Sequence, residues 1–294
     1  MAMTPKFCNG DRHSKSPARR AVVQYLLPTF LVLPYAYLGL LLAVAIHEFV
    51  GHGLTAIMVG GSFTGVQLEF DGMGWAQATA PPDAATWKYT AVMAGGVIST
   101  MVAGIILLSL GWRTRRQPWI ALPLLAIAAN QILEGAPYLF WNAVHPVPPG
   151  DIAAIVSGQP LARVACIIFG GTVMLAGVWC SMALLMWIAE SWLNEGKRYL
   201  GWSRFTALSV LGFSGMEWFI FDWDQLAPGL AAWPNVVGLF IHLISAASIA
   251  PARWRIERIE RNVRCTLISA TAGWALVLFA IVVVGVWLRK GLTW

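Results

Sequence analysis

The chain has 294 residues, 58% of them hydrophobic and only 12% charged, with a mean hydropathy of +0.65. Soluble domains carry about 25% charged residues, so this composition excludes an ordinary soluble fold and points to a helical membrane protein. The net charge of +6 does not indicate nucleic-acid binding, because the basic residues sit in short clusters between apolar runs, where they set orientation.

Residues 1–25 form a polar, basic tail without a small-residue cleavage site, so no removable signal peptide is expected. Seven uncharged or nearly uncharged stretches then approach or exceed the roughly 20 residues that cross a bilayer: 26–58, 89–112, 119–141, 161–188, 205–221, 233–249 and 266–288. The first is too long for one straight span. Pro28 and Pro34 are expected to break its start and to move the helix beginning to near Tyr35. Basic clusters at 6–20, 113–116, 197–204 and 253–264 alternate with acidic or neutral loops around Glu69, Asp83, Asp151, Asp222 and Asp224. Seven crossings with a cytoplasmic N-terminus satisfy that alternation, in the cell (inner) membrane. Between the first two spans, FTGVQLEF at 63–70 alternates apolar and polar residues, and Asp71-Gly72 follows. Alternation around Asp-Gly predicts a β-hairpin, which could offer an edge strand to an extended peptide. The fold class is therefore all-α and polytopic, with about seven transmembrane helices and a small hairpin-like loop after the first. The four cysteines, Cys8, Cys166, Cys180 and Cys265, are far apart and form no CxxC, so neither a disulfide framework nor a thiolate metal site is indicated.

The chemistry concentrates in HEFVGH at 47–52, inside the first span. Ionisable groups in a membrane helix are costly and need partners and a function. The letters nearly spell HExxH, in which two imidazoles bind zinc and the intervening Glu activates water, but the second His comes one residue late. On a regular α-helix, residues four apart differ by roughly 40° around the axis and residues five apart by roughly 140°, so His47 and His52 would diverge. A π-bulge at Gly51 would absorb the extra residue, helped by Gly53 on the far side of His52. Glu48 and His52 share a face without any bulge and offer a second arrangement, a carboxylate–imidazole pair.

Over about its first 155 residues the chain resembles the site-2 protease family of intramembrane zinc metallopeptidases. The resemblance rests on HEFVGHGLTAIMVGG, the hairpin-like loop, MAGGVIST at 93–100 and NAVHPVPPGDI at 142–152, in that order. The departures are one extra residue in the zinc motif, one extra residue between Asn142 and Pro146, and an Asp151 that follows Gly150 rather than preceding a glycine. The longer His spacing has precedent in the soluble dipeptidyl peptidase III family, whose zinc motif is of the HExxGH type. The resemblance implies Zn2+ held by His47, His52 and Asp151, with Glu48 as general base and Asn142 binding the peptide carbonyl or orienting the site. It implies a membrane protein or peptide substrate, cut in or near a membrane segment.

Each of these residues also has a plainer reading. Asp151 after Pro-Pro-Gly is an ordinary helix N-cap. Glu134 in the third span competes as third ligand, or bonds to Asn130 or Gln131 within the bundle. His145 reads as solvated, and His242 as a packed or hydrogen-bonded histidine. Glu217, Asp222 and Asp224 read as an interfacial rim, and the 253–264 run as an amphipathic connector on anionic lipid. Residues 26–160 are thus expected to form the metallopeptidase-like core, and 161–294 to add helices of unassigned role. The functional alternatives are an inactive metal-binding or partner-sensing descendant, and a proton or metal-ion transporter, which the lack of an internal repeat disfavours.

Overall fold

A computed structural model describes residues 27–70, 72–146, 150–193 and 257–293. Among these, the first helix, α1 (Leu27–Ala45), runs without a break into a π-helical segment, Ile46–Leu54, and a last short turn, α2 (Thr55–Met58). Strands β1 (Ser62–Leu68) and β2 (Gly74–Thr79) follow. Helices α3 (Thr86–Arg113), α4 (Pro118–Val144), α5 (Asp151–Val156) and α6 (Pro160–Leu193) come next. The last elements are α7 (Glu257–Val283), a second π segment (Val284–Leu288) and β3 (Leu292–Thr293).

Five helical stretches are long and apolar enough to cross a membrane among the described residues: Phe30–Met58, Thr86–Arg113, Pro118–Val144, Pro160–Ser181 and Cys265–Leu288. They correspond to five of the seven expected spans. The other two, 205–221 and 233–249, lie outside the described residues. The chain is an integral membrane protein, and its helices keep their backbone hydrogen bonds internal, as a bilayer requires.

The expected break at the start of the first span does not occur. The helix is continuous from Leu27, the first described residue, and carries Pro34 in its interior. Proline removes one backbone donor, but neighbouring helices support such sites in a bundle. Pro34 is fully buried, and a Cβ on Gly273 of α7 would lie 3.0 Å from its ring. Tyr35 Oη donates to Ser269 O of α7 at 2.9 Å, and Ser269 Oγ donates to Trp119 O of α4 at 3.0 Å. On the other side, Asn130 and Gln131 of α4 are buried and donate to Ala36 O and Gly39 O of α1, at 3.1 and 3.2 Å. The amide groups of Asn130 and Gln131 therefore tie two helices together.

The hairpin forms as the alternation predicts. β1 and β2 pair antiparallel from Ser62↔Thr79 to Leu68↔Gly74, with an irregularity between Phe63 and Gly65. Gly72 in the connection has φ +84°, a conformation that glycine adopts without strain. The sheet also has a third strand that the alternation does not announce. β3 pairs with β1 through Gly65↔Thr293 and Val66↔Leu292, giving the order β2-β1-β3.

Helix α3 reaches the π segment along one face. A Cβ on Gly51 would overlap the backbone of Gly95 and Gly96, and one on Gly95 would overlap Gly51 O. The two backbones are in direct contact, and only glycine permits that. Gly51→Ala is expected to destabilise the protein by about 1–3 kcal/mol, the usual cost of overpacking. Unfolding in detergent should register this, while Gly171→Ala, where the added Cβ would meet only the Phe140 ring at 3.3 Å, should cost far less.

Candidate metal centre

The π segment solves the spacing problem of HEFVGH. Its i→i+5 pattern stacks positions five apart, so His47 and His52 lie together on the buried face with Glu48, Gly51 and Gly53. The two imidazole centroids are 4.9 Å apart, with the ring planes inclined by 64°. Ser99 Oγ of α3 donates to Ile46 O at 3.2 Å where the rewinding begins. Along α3, Val92, Gly95, Gly96 and Ser99 follow the i, i+3, i+4, i+7 rule of a single helix face, and each touches the rewound backbone or its imidazoles. Gly96 gives His47 its space, since a Cβ there would overlap His47 Nε2.

Asp151 comes from the opposite side. Ile152, Ile155 and Val156 of α5 are buried against Val97 and Met101 of α3 and Ala136, Leu139 and Ala143 of α4. Arg163 of α6 donates to Ala143 O and Val144 O at 2.8 and 2.6 Å, satisfying end carbonyls that α4 cannot pair itself. With α5 fixed this way, Asp151 Oδ2 stands 3.2 Å from His47 Nε2 and 3.1 Å from His52 Nε2. The helix-capping reading of Asp151 is not what the structure has. Gly150 is the cap of α5, no side chain caps it, and Asp151 turns its carboxylate to the imidazoles instead. Burial opposes ionisation of this carboxyl, but the bonds from His47 and His52 outweigh it and hold the group well below the usual carboxylate range.

The donor set fits a cation on one specific ground. His52 Nδ1 bonds to Val92 O at 2.8 Å, and a carbonyl can only accept, so Nδ1 carries a proton. Yet Nε2 of the same ring faces a carboxylate oxygen, also an acceptor. A neutral imidazole has one proton to give. Either the ring is an imidazolium, or its Nε2 lone pair and Asp151 Oδ2 share a cation. The same Oδ2 serves His47, whose Nδ1 is buried with no hydrogen-bond partner among the described residues. Zinc bonds of about 2.0–2.1 Å in a tetrahedral arrangement set ligand atoms roughly 3.3 Å apart, close to the 3.1 and 3.2 Å seen. Ligand atoms of His47, Glu48 and His52 also lie within 4.8 Å of one another, all three residues being buried. Glu48 is buried in the π segment, against which β2 packs.

The remaining expected residues are placed as follows. Asn142 lies on α4, and its Nδ2 donates to Tyr138 O one turn earlier, at 3.0 Å. The Tyr138 ring packs edge-on to His47, with centroids 6.0 Å apart. His145 is exposed just beyond α4. Glu134 is on α4, but its side chain is outside the described residues, as are Glu217, Asp222, Asp224 and His242. The group that the sequence reading missed is a backbone one, the Val92 carbonyl, which leaves no mark in residue type. Gly96 did leave a trace, as part of MAGGVIST.

Two histidines and a glutamate clustered on one membrane helix, with the Asp151 carboxylate against both imidazoles, are the donor set of a metallopeptidase-like membrane protein. The Peptidase M50B-like family matches over residues 21–179, more than half of the chain, and the chain belongs to that family. No curated protein and no solved structure matches it.

Gly96→Ala tests the geometry without touching a donor. The added methyl should push the His47 ring aside and weaken Co2+ binding at least tenfold, the range known for residues that orient ligands. Chelator competition with the purified protein would measure it, with helical content unchanged.

Proposed function

We propose that this protein is a zinc-dependent intramembrane peptidase. The observation that supports it most is the convergence of two imidazole Nε2 atoms on one Asp151 oxygen, with His52 already committed to Val92 O through Nδ1. On this reading His47, His52 and Asp151 hold Zn2+, and three protein ligands leave one position open, as in catalytic zinc sites. Bound zinc lowers the pKa of water toward roughly 7 and polarises a carbonyl.

The chain's own residues do the rest. Val92 O fixes the His52 tautomer, so that the Nε2 lone pair points to the metal position. Glu48 takes the proton from the attacking water and returns it to the leaving amine. Asn142 binds the peptide carbonyl or orients the site, the role carried over from the resemblance.

The substrate is a membrane protein or a peptide, bound as an extended strand. A helical segment has its amides already paired and must unwind before attack. β2 is an edge strand, so its unpaired backbone groups suit such a guest. A cleft of about 590 Å3 beside it, lined by Ala78 of β2 and by Tyr89 and Met93 of α3 among others, gives room for substrate side chains. The site would work in the cell membrane with the N-terminus cytoplasmic.

Glu48→Gln should lower kcat on fluorescein-labelled casein by 10²–10⁴-fold, the usual share of general acid–base catalysis, while keeping one zinc per chain. His47→Ala and Asp151→Ala should lose the zinc itself. Elemental analysis beside the turnover assay separates the two effects, and wild-type turnover in Glu48→Gln would overturn the assignment.

A further inference from the structure

The hairpin that packs on the π segment is not held by the core region alone. Its outer strand is bound by a segment more than two hundred residues later in the chain. β3 pairs with β1 at Gly65 and Val66. A Cβ on Gly65 would come within 2.6 Å of Leu292 O, so β1 is shaped for this approach. Leu288, at the end of the second π segment, packs into the cluster of Val44, Val66 and Leu68, together with Phe49 and Phe63. Val44 and Phe49 lie close to the metal-binding histidines in the chain. Arg289 adds two contacts at the far end of the hairpin. Its Nε lies 3.2 Å from Glu69 Oε2, and its guanidinium stands 5.9 Å from the Phe70 ring centroid. Tyr37 Oη donates to Phe70 O at 3.0 Å, fixing the same turn to α1.

These contacts form an unbroken physical path. Segment 284–293 holds β1, β1 holds β2 through the ladder, and β2 packs on the π segment that carries Glu48. The path also covers β1 at Gly65 and Val66, leaving β2 and the two-residue β3 as the edge strands among the described residues. An exposed ion pair such as Glu69–Arg289 contributes little by itself. Its value here is geometric, because it pins one end of a three-stranded sheet that strand pairing and Leu288 pin elsewhere.

We propose that segment 284–293 is a positioning clamp for the general base: by completing the sheet, it sets where β2 lies against the π segment that carries Glu48. Arg289 and Glu69 are positioning residues, acting through the sheet and not on the substrate. The catalytic part of this inference rests on the peptidase reading above; the structural part does not.

The test uses the zinc-loaded full chain in detergent, followed by hydrogen–deuterium exchange of residues 74–79 and by turnover of fluorescein-labelled casein. Ending the chain after Lys290, or Arg289→Glu, should speed exchange over 74–79 at least fivefold. Zinc content and exchange over 86–113 should stay as in the wild type. Turnover should fall at least fivefold in kcat with KM unchanged. The double variant Glu69→Arg/Arg289→Glu should recover at least half of both losses, which a general loss of stability would not allow. Unchanged exchange and unchanged kcat after removal of 291–294 would overturn the clamp. A wild-type protein inert toward casein, whose 74–79 exchange still responds to these variants, would instead leave the clamp standing and count against the peptidase reading.

Discussion

Two imidazoles five residues apart can face one carboxylate only if the helix beneath them is rewound, and the rest of the core is arranged around that rewinding. A π turn in a membrane helix has a cost. It gives up regular i→i−4 bonding in a medium that supplies no water to compensate. The structure meets the demand locally. Gly51 lets α3 approach to backbone contact, Ser99 supplies a donor to Ile46 O, and Gly96 leaves room for the His47 ring. The glycine pair Gly95–Gly96 is therefore as much a part of the site as the histidines that it accommodates. It brings the backbone close enough for Val92 O to fix His52.

The site combines two kinds of support. His47 and His52 come from one continuous helix and are set by its pitch. Asp151 comes from a six-residue helix whose position depends on packing against α3 and α4 and on Arg163 closing the end of α4. Holding ligands from separate elements at hydrogen-bond distance demands that each element be fixed independently. Membership of the Peptidase M50B-like family agrees with this arrangement. The physical argument, that the proton count on His52 is met by an imidazolium or by a shared cation and that the donor spacing suits zinc, stands apart from the family.

The hairpin couples the site to the last helix. A two-stranded hairpin is marginal alone. Here it packs on the π segment, borrows a third strand and carries a charged contact at its tip. The last helix is thus linked to the histidine-bearing segment through the sheet and through Leu288, as well as through its packing on α1.

Much of the site was legible in the sequence because its chemistry lies in residue types. Ionisable residues at 47, 48 and 52 within an apolar run stand out, and alternation around Asp71-Gly72 marks a hairpin. The need for a bulge at Gly51 follows from the angular arithmetic of a helix. Five spans followed from hydropathy and length. Other features were settled only by tertiary structure, because they depend on distance between segments or on backbone groups that every residue possesses. Whether Asp151 caps a helix or turns to two imidazoles is decided by where α5 packs. Pro34 sits inside a helix because α7 packs against it, a fact that proline's local preference cannot contain. The pairing of Leu292 with Val66 joins positions more than two hundred residues apart, and two residues are too few to leave a periodic signal. Sequence alone singled out the candidate side chains, because their types stand out in an apolar run; the packed bundle determined which of them meet.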